Sequence, residues 1–319
     1  MKILIVGSFN YSIHAPAYAY GFRKLGHEVV ELDYERYQLK GKNLFSSLHN
    51  RIQRRFHIGL LMNKYNNAII KEVEKGKPDF VLLYRCYHIY DYTLKAIKNK
   101  TVLLSYNNDD PFSEVPSKGF FRYHKRNAKY CDINYVYRPK NITDYAQQGI
   151  SNTKILLPHY FSKQIFPKKC EKDIPISFIG HFENDGRDIL IKKLIDAGIP
   201  IRIYGGKLWA KSLLFQDLQP YLYPPIYGDE YNEIINRSRI LLVLFSKINS
   251  DTYTRRCFEI PATKSLMLSE YSYDMDRLYP ENECAVYFKN AEELIEIWFA
   301  FRERWREEEV PGTGCRQGY

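Results

Sequence analysis

The sequence predicts an α/β protein of two doubly wound lobes, each built on a parallel sheet. Short apolar runs that read as buried strands alternate with helix-length segments, the pattern of right-handed βαβ crossovers. The alternation stops in a polar, Lys-rich stretch, Phe161 to Pro175, and then starts again. The 319 residues leave room for two domains of ordinary size with a full core in each. The expected division is 1–165 and 166–300, with 301–319 as a terminal helix and disordered tail.

In the first half, Lys2–Val6 reads as a buried strand, and Gly7 opens the turn into a helix ending near Leu25. Gly26 caps that helix, and Glu28–Leu32 is the next strand. Pro78–Leu83 and Thr101–Ser105 are strands separated by a helix over 91–99; Ile133–Val136 and Ile155–Leu157 complete the sheet. No Gly-x-Gly-x-x-Gly follows the first strand, so a standard dinucleotide site is not expected there. In the second half, Ile176–Ile179 is a strand, 180–187 a loop and 188–197 a helix capped by Gly198. Ile199–Tyr204 is a strand ending in Gly205-Gly206, and Ile226–Gly228 is a short return before a helix over 229–237. Ile240–Phe245, Leu266–Leu268 and Ala285–Phe288 are further strands, and a helix runs from Ala291 to about Arg306. Both halves are thus Rossmann-like in element order.

Composition excludes several classes. No apolar run reaches the ~18 to 20 residues that span a bilayer, and the N-terminus reads as a strand rather than a signal peptide. The six cysteines are widely spaced without a Cys-x-x-Cys pair, as in a cytoplasmic protein with reduced thiols. No His/Cys grouping has metal-ligand spacing. Charge is uneven: residues 1–165 hold 26 Lys/Arg against 13 Asp/Glu, a net of +13, and the remainder holds 21 against 24, a net of −3. Such asymmetry points to a polyanion or an anionic membrane surface facing the first half. No acidic residue lies between Glu35 and Glu72, and Leu44, Phe45, Leu48, Ile52, Phe56, Leu60 and Leu61 recur there at helical spacing. The segment reads as an amphipathic basic helix, either core-facing with a solvated back or docked on lipid headgroups or an anionic acceptor.

The chemistry concentrates between two buried strands, where Asp251, Arg255, Arg256 and Glu259 fall within nine residues. A loop between parallel strands places such groups at the carboxyl edge of the sheet, where open α/β folds bind ligands. Two guanidinium forks suit a diphosphate, and a carboxylate suits a ribose diol. The competing reading is a set of solvated ion pairs of little energetic weight, and composition alone leaves both open.

The run Arg256-x-Phe-Glu-Ile-Pro-Ala262, followed by Leu266-Met-Leu-Ser-Glu270, resembles the donor-binding motif of group-1 glycosyltransferases. The nearest branch is the spore-maturation-protein-like (CgeB-like) glycosyltransferases. The resemblance runs through "SFIGH…R", "IYGG" and "YGDEY" in the second half, and more loosely through "FRKLGHEV" and "YNNDDPFS" in the first. It implies the GT-B architecture, two Rossmann-like lobes facing a central cleft, with a nucleotide-sugar as co-substrate, no cofactor and no metal. In that family two acidic residues lie eight positions apart, and the second holds the ribose. Glu259 matches the second; Asp251 stands where the first is usually Glu, and Lys264 stands where glycine is usual. The resemblance further implies that Arg255 or Arg256 contacts the diphosphate and that Gly180 and Arg187 approach the phosphates. It places the base against Tyr204, Gly205 or the turn at Tyr227, with UDP and GDP both open.

The first lobe is then expected to supply the acceptor site and any acid/base group. Asp109 and Asp110 follow a strand; adjacent carboxylates do not share a face, so one caps the next segment while the other faces the acceptor. His14 and His88, also in loops after strands, are the other candidates near the reacting sugar, each weighed against a structural role. Arg256 would stabilise the leaving diphosphate, and Arg51, Arg54 and Arg55 would meet an anionic acceptor. The expected function is sugar transfer to a hydroxyl of a cell-envelope or lipid-linked glycan, by a cytoplasmic protein peripheral at the inner membrane face. A DNA-base-modifying glycosyltransferase is the alternative, and a non-catalytic nucleotide-sugar or polyanion-binding protein is the second.

Overall fold

The computed structural model describes residues 1–37, 48, 50–53, 56–113, 120–281, 283 and 285–309. The chain divides into two compact units, Met1–Pro158 and His159–Tyr319. Among the described residues no helix is long and apolar enough to cross a membrane.

Unit 1 runs β1 (Lys2–Gly7), α1 (Ala15–Lys24), β2 (Glu28–Asp33), α2 (Leu60–Gly76), β3 (Phe80–Tyr84), α3 (Asp91–Ile97), β4 (Val102–Asn107), α4 (Arg122–Asn127), β5 (Ile133–Val136), α5 (Pro139–Gln147) and β6 (Thr153–Ile155). Its strands are parallel in the order β2-β1-β3-β4-β5-β6, with Leu4 opposite Val30 on one side and Val81 on the other. Ile3, Leu4, Ile5 and Val6 are all buried because helices cover both faces, which is why β1 is a continuous apolar run rather than an alternating one. The chain reverses its direction of winding between β1 and β3, a topological switch point.

Much of the expected basic helix falls outside the described residues, including Lys40, Lys42, Leu44, Phe45, Arg54 and Arg55. In the part described, the expected apolar face is not in the core. Leu48, Ile52, Phe56 and Leu60 are exposed, whereas Gln53, His57 and Leu61 are buried. Gln53 turns inward because its Oε1 accepts the Leu61 amide at 2.9 Å, satisfying one of the free N–H groups that open α2.

Unit 2 runs β7 (Ile174–Ile179), α6 (Arg187–Asp196), β8 (Ile201–Tyr204), β9 (Leu222–Tyr223), α7 (Gly228–Arg237), β10 (Ser238–Val243), α8 (Arg256–Ala262), β11 (Leu266–Glu270), α9 (Tyr273–Leu278), β12 (Val286–Phe288) and α10 (Ala291–Glu309). The parallel order is β12-β11-β10-β7-β8-β9, so this sheet reverses between β7 and β10. The core packs Ile176, Phe178, Ile191, Leu194, Ile240, Leu242 and Leu268 with Trp209 and Trp298. The edge strand is Leu222–Tyr223, paired with Ile203 and Tyr204, rather than the return expected at Ile226–Gly228.

The stretch expected as a linker is fastened to unit 2. The Phe166 and Lys168 amides donate to the side chains of Asn232 and Asn236 on α7, at 3.1 and 2.7 Å. Asn236 also donates to the Phe166 carbonyl at 3.1 Å. The tail expected at the C-terminus lies outside the described residues from 310 onward.

Candidate functional site

In unit 2 the loops after β7 and β10 meet at the switch point. Ser246, just past β10, donates to Glu183 in the loop after β7 at 2.5 Å, and His181 stands 3.0 Å from the same carboxylate. Burial alone would raise the Glu183 pKa, but the His181 and Ser246 hydrogen bonds and the Arg187 charge hold it at about 2. The loop after β10 is closed by Asp251 N–H donating to the Ser246 carbonyl at 2.9 Å, and by Thr252 donating to Asp274 at 2.6 Å. It then feeds α8, where Cys257 and Ile260 face the core and Glu259 is 4% exposed.

Tyr231 on α7 donates its hydroxyl to Glu259 Oε2 at 2.7 Å. Burial raises the Glu259 pKa, and the Arg255 charge, the Tyr231 hydrogen bond and the Arg256 charge oppose that rise. One carboxylate oxygen is thus held from behind by a phenol. Arg256 Nε is buried and meets no hydrogen-bond partner among the described residues. A buried guanidinium N–H with no acceptor is costly, and a ligand oxygen would satisfy it. Asp251 is half-buried in the same loop.

The other expected donor contacts divide. Arg187 is turned inward: Nε and Nη2 bind the Asp185 carboxylate at 2.8 and 2.6 Å, Nη1 the His181 carbonyl at 2.8 Å, and Nη2 also Glu183 at 3.1 Å. Its fork is engaged in shaping the loop. Gly205 is there for close packing, since a Cβ would lie 2.0 Å from Trp209 Nε1 and 2.3 Å from the Gly180 carbonyl. Gly180 in turn accepts the Trp209 indole N–H at 3.0 Å. Tyr204 is buried with its ring 5.2 Å from that of Tyr223, and Tyr227 is exposed at the start of α7.

In unit 1 a cavity of about 180 Å³ opens at the switch point, lined by residues just past β1, β2 and β3. Arg85, the first residue after β3, has φ +52°, a conformation costly for any side chain with a Cβ. The cost is offset by a dense network. Arg85 pairs with Asp109 at 2.8 Å, donates to Tyr87 at 3.1 Å and lies 3.4 Å from His14 Nε2. His14 Nδ1 is 3.0 Å from the Tyr84 hydroxyl, and Ser8 donates to Glu35 at 3.0 Å. His88 stacks on Tyr34 at 4.2 Å; burial and the neighbouring His57 bring its pKa to about 3, so it is neutral near pH 7.

The Asp109/Asp110 pair resolves into two roles. Asp110 is 2% exposed, accepts the Phe112 amide and the Asn141 side chain at 2.9 Å each, and pairs with Lys140 at 3.2 Å. It holds the turn that follows, through the Phe112 amide. Asp109 accepts Tyr87 at 2.6 Å as well as Arg85. Burial would raise its pKa, but Arg85 and the Tyr87 hydrogen bond bring it below the usual range, so it is a weak proton acceptor. Its bonds fix Arg85 and Tyr87 instead. Arg51 is exposed and away from this network in sequence; Arg54 and Arg55 lie outside the described residues. Among the described residues no three His, Cys, Asp or Glu side chains are grouped to hold a metal. Arg85, Tyr87 and Glu35 carry no motif, and only the strained backbone at 85 marks the first of them; Tyr231 ends the YGDEY run, but nothing in that run marks its hydroxyl as the partner of Glu259.

A family model described as "Glycosyl transferase-like" matches residues 187–309, from α6 through α10. No curated protein matches the chain in sequence. Among solved structures, Anabaena Alr3699/HepE in complex with UDP-glucose aligns with a TM-score of 0.61 and 10% identity, over 96% of this chain and 91% of that one. A putative UDP-N-acetylglucosamine 2-epimerase from Listeria monocytogenes aligns at 0.58 and 10% identity, over 97% and 89%. TarM, an S. aureus protein, aligns at 0.51 and 11% identity, over 78% of this chain and 56% of its own. These likenesses establish the GT-B fold, with its two six-stranded parallel sheets.

Proposed function

We propose that the chain transfers a sugar from a nucleotide-sugar, UDP-linked rather than GDP-linked, to an acceptor hydroxyl. The observation that carries this reading is the pairing of the buried Glu259, held by Tyr231, with the buried and unpartnered Arg256 Nε at the carboxyl edge of the second sheet. The free oxygen of Glu259 accepts ribose hydroxyls, and Arg256, with Arg255, takes the diphosphate oxygens. As the bond to the sugar breaks, charge grows on the leaving diphosphate, and guanidinium groups already in place stabilise it without reorganising. The UDP-glucose in the HepE structure and the glycosyl transferase-like match support the donor class. The unit 1 cavity is the candidate acceptor site, with His14, fixed between Tyr84 and Arg85, as the group nearest to a proton-accepting role. An anionic acceptor, either an envelope or lipid-linked glycan or DNA, agrees with the +13 charge of residues 1–165.

The test is UDP release from UDP-sugars with and without acceptors. Arg256→Ala is expected to lower turnover about 10²- to 10³-fold, the range for removing one donor aimed at developing charge, and Glu259→Ala to weaken UDP binding, with both variants folded by circular dichroism. Wild-type rates in both variants would end the site assignment. Conversion of UDP-N-acetylglucosamine to its 2-epimer without UDP release would replace transfer by epimerisation, the activity in the Listeria protein's name.

A further inference from the structure

Among the described residues lining the unit 1 cavity, Glu35 is the one acidic side chain, and the proposed transfer makes no use of it. It lies in the turn Tyr34–Tyr37, just past β2. Ser8, just past β1, donates to its Oε1 at 3.0 Å. Asp33 ties the two strand ends together, its Oδ1 accepting the Phe9 amide at 3.3 Å and the Glu35 amide at 3.0 Å. Among the described residues Ser8 is the only side-chain partner of the Glu35 carboxylate. A carboxylate has about four lone-pair sites over its two oxygens, so most of them, including both on Oε2, are left for a ligand. Glu259 in unit 2 has the same arrangement, with the Tyr231 hydroxyl in the place of Ser8.

The other walls of the cavity are largely aromatic. Tyr34 is stacked on His88, and Tyr11, 65% exposed, stands edge-on to His14 with centroids 5.9 Å apart. Arg85 is paired with Asp109 at 2.8 Å, and His88 is neutral near pH 7. A carboxylate in such surroundings repels anions and accepts hydroxyl hydrogens. Its place after the second strand is the one from which an acid takes a ribose diol in dinucleotide sites. The Gly-rich loop that would cradle a diphosphate is absent after β1, however. The volume, about 180 Å³, is below the ~300 to 1,000 Å³ of drug-sized sites, which suits a single ring better than a nucleoside.

We propose that Glu35 recognises a vicinal diol on an uncharged sugar ring, the end of the acceptor that enters this cavity. Each carboxylate oxygen accepts one hydroxyl of the pair, and Ser8 keeps the carboxylate turned toward them. The inference rests on the reading of this cavity as the acceptor site and adds the acceptor's chemical class. That class is a glycan with free neighbouring hydroxyls, which excludes DNA, because its sugar carries no vicinal diol.

Saturation-transfer NMR on the full chain, with UDP present, tests it. The probes are the methyl glycosides of glucose, galactose and mannose, and the comparators are their 3-deoxy counterparts, which lack any vicinal pair. At least one parent glycoside is expected to bind saturably. Its binding should weaken at least about tenfold in the 3-deoxy form and in Glu35→Ala, the loss that follows removal of a hydrogen bond to a charged group. Should Glu35→Ala not fold, the 3-deoxy series on the wild-type protein still decides. No binding by any parent glycoside, equal binding by the 3-deoxy forms, or wild-type affinity in a folded Glu35→Ala would each overturn the proposal. Failure of the transfer reading has a different signature. Glu35-dependent glycoside binding by a protein that never releases UDP would uphold the diol site and end transfer, whereas transfer with an unchanged acceptor KM in Glu35→Ala would uphold transfer and overturn the diol site.

Discussion

Lys264 stands two residues past the end of α8 with φ +60°, the left-handed region that glycine enters freely. A lysine there carries a Cβ against the preceding carbonyl, at roughly 1 to 2 kcal/mol. Glycine would remove that strain but make the unfolded chain more flexible, so Lys264→Gly is expected to stabilise by about 0.5 to 1 kcal/mol. A urea midpoint that stays put or falls would show that the strain is relieved by contacts of the lysine itself. Arg85 has the same backbone strain for the opposite reason, since its guanidinium is held by Asp109 and Tyr87 inside the unit 1 cavity. Glu183 supplies a pH test at this scale. Its pKa of about 2, below the ordinary 4.5, means that the unfolded chain takes up the proton first. The stabilisation is complete above about pH 4.5 and drains away as pH falls toward 2. Solvent reaches part of the side chain, so the effect is about 1 kcal/mol. Glu183→Gln should lower the urea midpoint between pH 5 and 7 and converge on wild type only as pH falls toward 2; a constant gap would assign the loss to packing.

The elements were largely legible because a parallel sheet covered on both faces spells its inner strands as apolar runs, as in β1, β3, β7 and β10. The exceptions have physical causes. β9 is two residues long, too short for any period, so the nearby Ile226 attracted the reading instead. The Phe161–Pro175 stretch lacks an apolar pattern because its anchors are backbone hydrogen bonds donated to the side chains of Asn232 and Asn236, which periodicity does not register. Glu259 and Arg256 were visible because they sit in one continuous run, whereas Tyr231 reaches Glu259 from 28 residues away and Arg85 meets His14 from 71. Gly205 was visible as a residue but not for its reason, the contact with Trp209 at the end of β8. Gly205→Ala therefore has to push the indole or the Gly180 carbonyl aside, and overpacking of this kind costs ~1 to 3 kcal/mol. Because Gly180 opens the loop that carries Glu183, the same variant is expected to weaken UDP binding as well as lower the melting temperature. A stable Gly205→Ala protein with wild-type UDP affinity would show that the two loops are not mechanically joined there.

At the scale of the whole molecule, the charge separation between residues 1–165 and the remainder is the ground for proposing a partner of opposite sign. The described part of the basic segment narrows the choice. Leu48, Ile52, Phe56, Ile58 and Leu60 are exposed together in a run whose sequence lacks any acid from residue 36 to residue 71. Exposed apolar side chains among cations suit a lipid surface, which accepts both, better than DNA, whose phosphates accept only the charge. The protein is accordingly expected to sediment with vesicles containing phosphatidylserine and to be released as salt shortens the screening length from ~10 Å at 0.1 M to ~3 Å at 1 M. Burying one phenylalanine is worth ~1.5 to 3 kcal/mol, and 1.4 kcal/mol is tenfold in affinity, so Phe56→Ser should weaken vesicle binding at least about tenfold at constant charge. DNA binding with a steep salt slope, unchanged by Phe56→Ser and accompanied by no vesicle binding, would give the positive charge to a nucleic-acid acceptor. Equal vesicle binding by Phe56→Ser and wild type would remove the apolar run from the contact and leave charge alone to account for it.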